Sequence, residues 1–428
     1  MKNSTEDIQR TILDEFPKLR TQDDLLALLN KIKRFLVGSA DEKTCKPLAM
    51  SSLNYYKNVK VSLRHRYHLF NIKKKSGKLR QICAPVAGLK MIQSCLREIF
   101  NAYYEPSPNV CGFVNGRSIA DGAKRHVGKN FVLNIDLKDF FDSIEFHRVK
   151  AMLCCAPFNL RDEKENPQSL PFVIANLCCT PKKVIRVNKE GKEYECVRSV
   201  LPQGAPTSPI LTNLICRQLD KKLYLLAKKY HCAYSRYADD ITFSANKNIF
   251  KVDSEFYCEL KHIVEVECRL KINEEKTRVQ SRKYRQEVTG LVVNKKVNVT
   301  KRYVKQIRMW LYLWETYGYE KAQKLFTHDY LHDKGHVKSE SARMDNVLCG
   351  KLEYLKMIVG SDNAAYIKLA ERIIELQNRT DSVINVSTIL DIWENEGIDK
   401  AMEAYTDVIN NKKSDCYEII RIYKTMAG

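Results

Sequence analysis

The sequence predicts an α+β fold in which helical segments flank a central region of strands. Apolar residues recur at helical spacing over the first sixty residues and again from about Thr300 onward. Between these regions, short apolar runs such as residues 131–135 and 233–236 adjoin turn residues, which is typical of strands. The length of 428 residues suffices for two to four structural units with a sizeable buried core.

The N-terminal segment, residues 1–60, is predicted to be a helical packing element. Thr21 and Asp24 have the spacing of a capping box, and apolar residues follow at helical spacing through Leu36. The acidic pair Asp23 and Asp24 lies in the opening turn of this helix, where acids favour the positive end of the helix dipole and need no metal.

Residues 67–72 and 79–82 are predicted to be two strands joined by a basic turn at Ser76-Gly77. The turn carries four lysines, at positions 73, 74, 75 and 78, and Arg80 lies on the returning strand. A run of charge is usually solvated surface, but a cationic tip is also suited to gripping a triphosphate. A helix is expected next, from Gly88 to Tyr104.

Three acids stand out in the central region. Asp136 ends the apolar strand 131–135, and Asp239-Asp240 sit at the tip of a predicted hairpin between residues 233–236 and 241–243. Side chains alternate between the faces of a sheet, so acids from two strands can meet on one face. Three carboxylates can hold two divalent ions roughly 3.5 to 4 Å apart, as in-line phosphoryl transfer requires, and oxygen ligands favour Mg2+. The alternative is that Asp136 caps a strand and the pair decorates a turn.

A second informative loop is Leu201-Pro202-Gln203-Gly204-Ala205-Pro206, which precedes a predicted helix. Gly204 lets the backbone approach a base pair or sugar closely, and Gln203 offers a side-chain amide beside it. An ordinary proline-punctuated helix entry is the alternative. Residues 157–200 are interpreted as an insertion with a hairpin turn at 188–192.

Composition indicates the kind of partner. The net charge is +21, from 72 Lys plus Arg against 51 Asp plus Glu, which favours a polyanion such as nucleic acid. No apolar run approaches the roughly 18 residues needed to span a bilayer, and residues 1–7 lack the apolar core of a secretory signal. We therefore expect a cytoplasmic protein without a membrane partner.

The cysteines also favour a cytoplasmic protein. Fifteen cysteines are scattered singly within apolar segments, as expected of buried thiols in a reducing compartment. Cys154-Cys155 and Cys178-Cys179 are the only plausible cysteine metal cluster, but adjacent pairs lack the spacing of a zinc knuckle.

Taken together, these motifs resemble those of reverse transcriptases, and the chain is most similar to the bacterial retron-type enzymes. The order is the family's: basic turn, acid-bearing strand, Pro-Gln-Gly loop, Tyr-Ala-Asp-Asp hairpin, lysine-bearing segment, then Val288-Thr289-Gly290. The resemblance implies a right-hand polymerase fold with an antiparallel sheet in its palm. It assigns residues 1–60 to N-terminal helices, 61–130 to fingers, 131–293 to palm, 294–376 to a helical thumb and 377–428 to a helical extension.

The resemblance also implies the site. Asp136, Asp239 and Asp240 would be the catalytic acids and, with the backbone carbonyl of Leu137, the ligands of two Mg2+ ions. Lys276 matches a lysine thought to protonate leaving pyrophosphate, although a solvated surface lysine fits the sequence almost as well. The nucleotide-binding residues would be Lys74, Lys78, Arg80, Phe141, Gln203 and Gly204. Among these, Phe141 would exclude ribonucleotides by clashing with a 2′-hydroxyl; the alternative is a core aromatic residue.

Two segments favour the retron branch. Val288-Thr289-Gly290 matches a retron-type signature, and residues 122–126 resemble an Asn-Ala-x-x-His signature, with Gly122 in place of asparagine. RNA contacts are expected from Arg117, His126, Val288, Thr289, Gly290, Lys301, Arg302, Lys305 and Arg308.

The partners that the resemblance implies are a structured noncoding RNA as template and primer, a DNA product, deoxynucleoside triphosphates and a separate effector protein, in antiphage defence. Two alternatives stay open. One is a defence-associated reverse transcriptase outside the retrons that makes untemplated or repetitive DNA. The other is an RNA-binding scaffold with a vestigial polymerase site.

Overall fold

The structure is a computed structural model. It describes residues 5–38, 45–61, 63–73, 77, 79–161, 166, 168–187, 192–333, 342–382 and 400. The chain divides into two compact units, Met1–Lys296 and Val297–Gly428.

The first unit begins with helices around one apolar core. The elements are α1 (Thr5–Glu15) with a 3-10 turn at Phe16–Lys18, α2 (Gln22–Val37), α3 (Met50–Lys57), α4 (Leu63–Arg66) and, after a hairpin, α5 (Ala87–Ala102). The hairpin pairs β1 (Tyr67–Lys73) with β2 (Leu79–Pro85). Thr21 and Asp24 form the predicted capping box at the start of α2. The predictions of N-terminal helices and of the basic hairpin are confirmed for the described residues.

The middle of the unit alternates helices and strands. In order these are α6 (Ile119–Lys124), β3 (Phe131–Asp136), a 3-10 turn (Phe141–Ser143), α7 (Phe146–Cys154), α8 (Leu170–Cys178), β4 (Thr180–Val187), β5 (Glu193–Val200), α9 (Ser208–Ile215) and α10 (Arg217–Lys229). Then come β6 (Ala233–Tyr237), β7 (Asp240–Ala245), α11 (Glu255–Lys261), a π-helical turn (His262–Glu267), β8 (Arg278–Ser281), β9 (Glu287–Val288) and β10 (Leu291–Val292). Strands β4 and β5 form the hairpin predicted within residues 157–200.

A four-stranded antiparallel sheet in the order β6-β7-β3-β8 is the platform of the unit. On β3 and β7 the odd-numbered side chains, including Leu133, Ile135 and Phe243, are buried with residues of α10 and α11. Because side chains alternate along a strand, Asp136 and Asp240 belong to the opposite face. The outer edge of β6 is covered by a backbone segment, since Cys111 N donates to Arg236 O (2.9 Å) and Arg236 N donates to Asn109 O (2.9 Å).

The second unit is helical over its described residues. It contains α12 (Lys301–Tyr317), α13 (Tyr319–Asp333), α14 (Met344–Val359) and α15 (Ala364–Ser382). The hydroxyl of Thr300 caps α12, and Trp310 packs edge-on against Phe326 with ring centroids 5.1 Å apart. Beyond Ser382 only Lys400 is described, so the helical segments predicted within residues 386–426 lie outside the described residues.

The α+β prediction is thus confirmed. No helix in the described ranges has both the length and the apolar character to cross a bilayer.

Candidate active site

The sheet brings the three predicted acids together. Asp136, at the end of β3, lies directly opposite Asp240 at the start of β7. Leu137 N donates to Asp239 O at 3.1 Å, which holds Asp239 beside the same strand end. Residues far apart in the chain therefore meet because an antiparallel ladder aligns one strand end with the tip of a hairpin.

Lys276 joins this group. Its ammonium donates to both carboxylate oxygens of Asp136, at 2.8 and 2.9 Å, and the Asn273 amide donates to Oδ2 at 3.0 Å. Asn273 N also donates to the Asp136 carbonyl at 2.8 Å, so the loop carrying Lys276 is tied to the acid-bearing strand. The pairing gives Asp136 a cationic partner within its own chain.

The electrostatics of the hairpin acids reflect crowding of negative charge. Desolvation, reinforced by the Asp239 and Asp136 charges, raises the pKa of Asp240 to about 6. Desolvation also raises the pKa of Asp239, with Asp136 adding to the effect while Lys276 and Arg80 oppose it. Asp240 itself is exposed at the tip, so water screens part of this repulsion. A cation at this place would stabilise the charged forms.

The carboxylates of Asp136, Asp239 and Asp240 are suitable ligands for a divalent metal ion. Within the part of the chain that the structure describes, no three acidic, histidine or cysteine side chains are arranged as a ready-made metal cluster. The donors present are carboxylate oxygens, the type that Mg2+ and Ca2+ prefer. Leu137 and Ile272 face each other in an antiparallel bridge, whose two hydrogen bonds run from Asn273 N to Asp136 O and from Lys138 N to Lys271 O. The Leu137 carbonyl takes part in neither bond.

A buried arginine, which the sequence analysis missed, supports the hairpin from behind. The Arg236 side chain has 0% exposure and forms a two-pronged ion pair with Asp220, Nε to Oδ1 and Nη2 to Oδ2, each 2.7 Å. Its Nη1 donates to the Ala238 carbonyl at 3.0 Å, and Ala238 directly precedes Asp239. Ala238 has a φ of 57°, unusual for a residue with a Cβ. Arg236 therefore holds the hairpin tip in a conformation that it would not adopt readily alone.

The sequence contains one indication that Arg236 is buried and paired. Arg236 interrupts an apolar strand, and a charge within a buried strand requires a partner. That partner, Asp220, follows the buried Leu219 on α10. Nothing in the local sequence pairs the two positions.

His126 was predicted to contact RNA, and this prediction is wrong. Its ring is fully buried, with Nδ1 2.7 Å from Ser244 Oγ and Nε2 2.8 Å from Ser235 Oγ. Both ring nitrogens are used to link β6 and β7. Burial, aided by Arg125 and Lys129, lowers the pKa of His126 to about 3, so the ring is neutral.

Of the other RNA predictions, that for Val288 needs correction, whereas contact of Thr289, Gly290 and Arg117 with RNA stays a prediction. Val288 is buried at 1% exposure, so its side chain cannot contact RNA, whereas Thr289 and Gly290 form the turn between β9 and β10. The guanidinium of Arg117 donates to backbone carbonyls of the preceding loop, including Ser107 O (2.5 Å) and Val110 O (2.6 Å). Arg117 therefore organises that loop.

The helix α12 presents its basic residues as predicted. Lys301, Arg302, Lys305 and Arg308 are exposed, while Ile307 and Trp310 are buried on the other side. Contact of these basic residues with RNA stays a prediction.

Of the predicted nucleotide-binding residues, Arg80 lies on β2, and Gln203 and Gly204 lie in a loop attached to β2. Arg80, on β2, is close enough to the acids to lower the pKa of Asp239. Cys83 N donates to Gln203 O at 2.7 Å, so the Pro-Gln-Gly loop is attached to the same strand. Gly204 has a φ of 120°, and a Cβ there would lie 2.9 Å from Cys83 O, so only glycine fits this contact. Lys74 and Lys78 lie outside the described residues.

Phe141 belongs to an aromatic group beside the hairpin. Its ring centroid lies 6.3 Å from that of Phe113, which in turn lies 6.4 Å from that of Tyr237. Phe141 is only partly buried. Phe141 also packs against the main apolar core, so both contact with a sugar and the core role stay predictions.

Comparison with known proteins identifies the family. The sequence profile described as "Reverse transcriptase (RNA-dependent DNA polymerase)" matches residues 72–294. This chain belongs to the reverse transcriptase family. The fold class is accordingly that of the right-hand polymerases, as predicted, while the finer division into fingers, palm and thumb stays a prediction.

Relatives of this chain include retron enzymes. It is 30% identical over 307 residues to the retron Mx65 reverse transcriptase of Myxococcus xanthus, covering 69% of this chain and 63% of the relative. It is 34% identical over 261 residues to the retron Mx162 reverse transcriptase of the same organism, covering 58% of this chain and 51% of the relative. The matches thus span about half to two thirds of these relatives. The resemblance to the retron-type enzymes is confirmed.

A distant likeness to a solved structure was also found. Telomerase from Candida albicans matches with a TM-score of 0.39 at 12% identity, covering 78% of this chain and 67% of the telomerase chain.

Proposed function

We propose that this protein is an RNA-directed DNA polymerase of retron type, which copies a cognate structured noncoding RNA into single-stranded DNA. The observation that carries the proposal is the register of β3 and β7, which sets Asp136 opposite Asp240 with Asp239 bonded beside them. The net charge of +21 and the exposed basic face of α12 support an RNA partner.

In the proposed reaction, the protein mainly positions its substrates and balances their charge. Asp136, Asp239 and Asp240, with the Leu137 carbonyl, would hold two Mg2+ ions. Such ions activate an attacking hydroxyl and stabilise a leaving group in phosphoryl transfer. Arg80, and with it Lys74 and Lys78, would bind the triphosphate, whose charge calls for cationic donors.

The remaining residues would select the nucleotide. Gly204 leaves room beside the nascent base pair, and Gln203 offers an amide there. Phe141 would lie under the sugar and reject a 2′-hydroxyl. Lys276 pairs with Asp136 at 2.8 Å, so a role as proton donor to pyrophosphate requires its ammonium to leave that carboxylate.

The setting follows from the retron likeness alone. We propose a cytoplasmic enzyme in antiphage defence that works with a separate effector protein. The noncoding RNA would serve both as the template and as the source of the priming hydroxyl.

The test replaces one acid and keeps its shape. Asp239→Asn should lower Mg2+-dependent incorporation of dGTP on oligo(dG)-primed poly(rC) by about a thousandfold or more, because several kcal/mol of transition-state stabilisation is lost. Binding of the same primed RNA, measured by fluorescence anisotropy, should be largely retained. Asp253→Asn, at an exposed acid of the same unit, is the matched control and should incorporate normally. Synthesis by Asp239→Asn at the wild-type rate would overturn the site.

The retron assignment has a separate test. DNA that copurifies with the full-length protein should be single-stranded and joined to RNA through a branch. Free or protein-linked repetitive DNA would instead identify a defence reverse transcriptase outside the retrons. A wild-type protein that binds the primed RNA but incorporates no nucleotide would support the vestigial scaffold.

A further inference from the structure

The β4–β5 hairpin reaches the residue proposed to select the sugar. At its base, Leu201 N donates to Ile144 O at 3.1 Å and Val200 forms an antiparallel bridge with Glu145. The hairpin is therefore joined by backbone bonds to the segment that follows Phe141. These bonds attach the hairpin to Ile144 and Glu145, directly after the 3-10 turn Phe141–Ser143.

Two cations on one face of β4 extend this attachment. Lys182 Nζ lies 2.6 Å from Asp142 Oδ2. Arg186 Nη2 donates to the Asp142 carbonyl at 2.8 Å, and its Nε donates to Glu145 Oε1 at 2.9 Å. Both the side chain and the backbone of Asp142 are thus held, and Asp142 is the residue directly after Phe141. We refer to Lys182, Arg186 and Asp142 as the clamp.

The side chains of the clamp are largely buried. The side chains of Asp142, Lys182 and Arg186 are 15%, 26% and 25% exposed. Asp142 Oδ1 is buried and has no hydrogen-bond partner, so Lys182 is the cation on which this carboxylate depends. Burial raises the pKa of Asp142, with Lys182 acting in the opposite direction. Loss of Lys182 would leave a buried acid unpaired, and the turn would shift to reach water.

The opposite face of the same strand provides a contrast. Lys183 points the other way because side chains alternate, and it pairs with Glu195 in solvent, with side-chain exposures of 78% and 57%. An exposed pair of this kind contributes little to stability. The two neighbouring lysines therefore differ in whether they contact the Phe141 turn.

We propose that Lys182 and Arg186 are positioning residues for sugar selection, which hold the Phe141 ring at the depth that excludes a ribose 2′-hydroxyl. The proposal rests on the proposed polymerase function. It gives the β4–β5 hairpin a role in substrate specificity. Neither cation contacts the nucleotide; both act through the backbone and side chain of Asp142.

The experiment compares dGTP with GTP on oligo(dG)-primed poly(rC), since these nucleotides differ only at the 2′ position. The measured quantity is the ratio of kcat/KM for the two. Lys182→Met should lower discrimination against GTP by about tenfold or more, since a displacement near 1 Å has effects of this order. Arg186→Gln should lower it in the same direction, Lys182→Arg should retain it, and Lys183→Met should leave it unchanged.

A double-mutant cycle tests whether Lys182 acts through Phe141. Phe141→Ala should itself remove most discrimination, and Lys182→Met should then add nothing further. A wild-type ratio in both Lys182→Met and Arg186→Gln would overturn the proposal. So would an equal effect of Lys182→Met with and without Phe141, which would indicate a general loss of structure.

The outcome separates this proposal from the function on which it rests. If the wild-type protein incorporates dGTP but the clamp variants discriminate against GTP as well as the wild type does, only the role of the clamp is refuted. Wild-type protein that incorporates neither nucleotide refutes both. Circular dichroism melts of each variant identify any that fails to fold, and the Lys182→Arg and Arg186→Gln variants then carry the comparison.

Discussion

The buried pair of Arg236 and Asp220 makes a quantitative prediction about the catalytic hairpin. The Asp220 carboxylate accepts three hydrogen bonds, two from Arg236 at 2.7 Å and one from the Tyr234 hydroxyl at 2.8 Å. The two charged side chains are 0% and 4% exposed. Replacing Asp220 by Asn keeps the shape but leaves the Arg236 charge buried without its counter-ion. Breaking a buried pair in this way costs about 3 to 5 kcal/mol.

Hydrogen exchange measured by mass spectrometry is the appropriate assay. All three tryptophans, residues 310, 314 and 393, lie in the second unit, so tryptophan fluorescence would not follow this site. A loss of about 4 kcal/mol should accelerate exchange of the β6–β7 peptide about a thousandfold. The control is Lys124→Met, which removes the exposed pair with Asp121 and should cost under about 1 kcal/mol. Equal protection in the two variants would refute the argument.

Two further predictions concern other parts of the site. The pKa of His126 is about 3 in the folded protein against about 6.5 unfolded, so the unfolded chain takes up the proton first and the contribution of His126 should lower stability by about 1.6 kcal/mol between pH 6.5 and 5. Asp240, whose pKa is raised to about 6, acts in the opposite direction over this pH range in both proteins, so the test is the difference between wild type and His126→Gln in urea unfolding followed by far-ultraviolet circular dichroism; an identical pH dependence of the two proteins would contradict the assignment. Gly204→Ala should lower kcat/KM for dGTP about tenfold or more, because its Cβ would meet Cys83 O at 2.9 Å, whereas Gly350→Ala, with nothing within 4 Å, should be neutral; equal activity of the two would count against the close approach.

Local patterns in the sequence were sufficient for the strands that carry the acids. The alternation around Asp136 and Asp240 predicts that both can share a face, and the observed register places them there. The capping box at Thr21 and the hairpin within residues 157–200 were likewise recognisable from nearby residues. Such features depend on contacts over a few positions, which a sequence displays directly.

Long-range partners were not predictable in this way. His126 lies in a segment that resembles a family signature, and the signature gave no information on its burial between two serines. Lys276 was expected near pyrophosphate, yet it pairs with Asp136, a contact across 140 positions of the chain. The sequence predicts an insertion over residues 157–200, but α8 within them is buried in the main core together with α5. In each case tertiary packing determines the partner.

The backbone segment alongside β6 has a consequence for association between chains. A strand at the rim of a sheet offers unpaired amides and carbonyls that can recruit a strand from another molecule. Here Asn109 and Cys111 occupy those groups of Arg236. The strand that leads to the acids is thereby shielded from intermolecular pairing, and a substitution that detached this segment would favour aggregation as well as loss of activity.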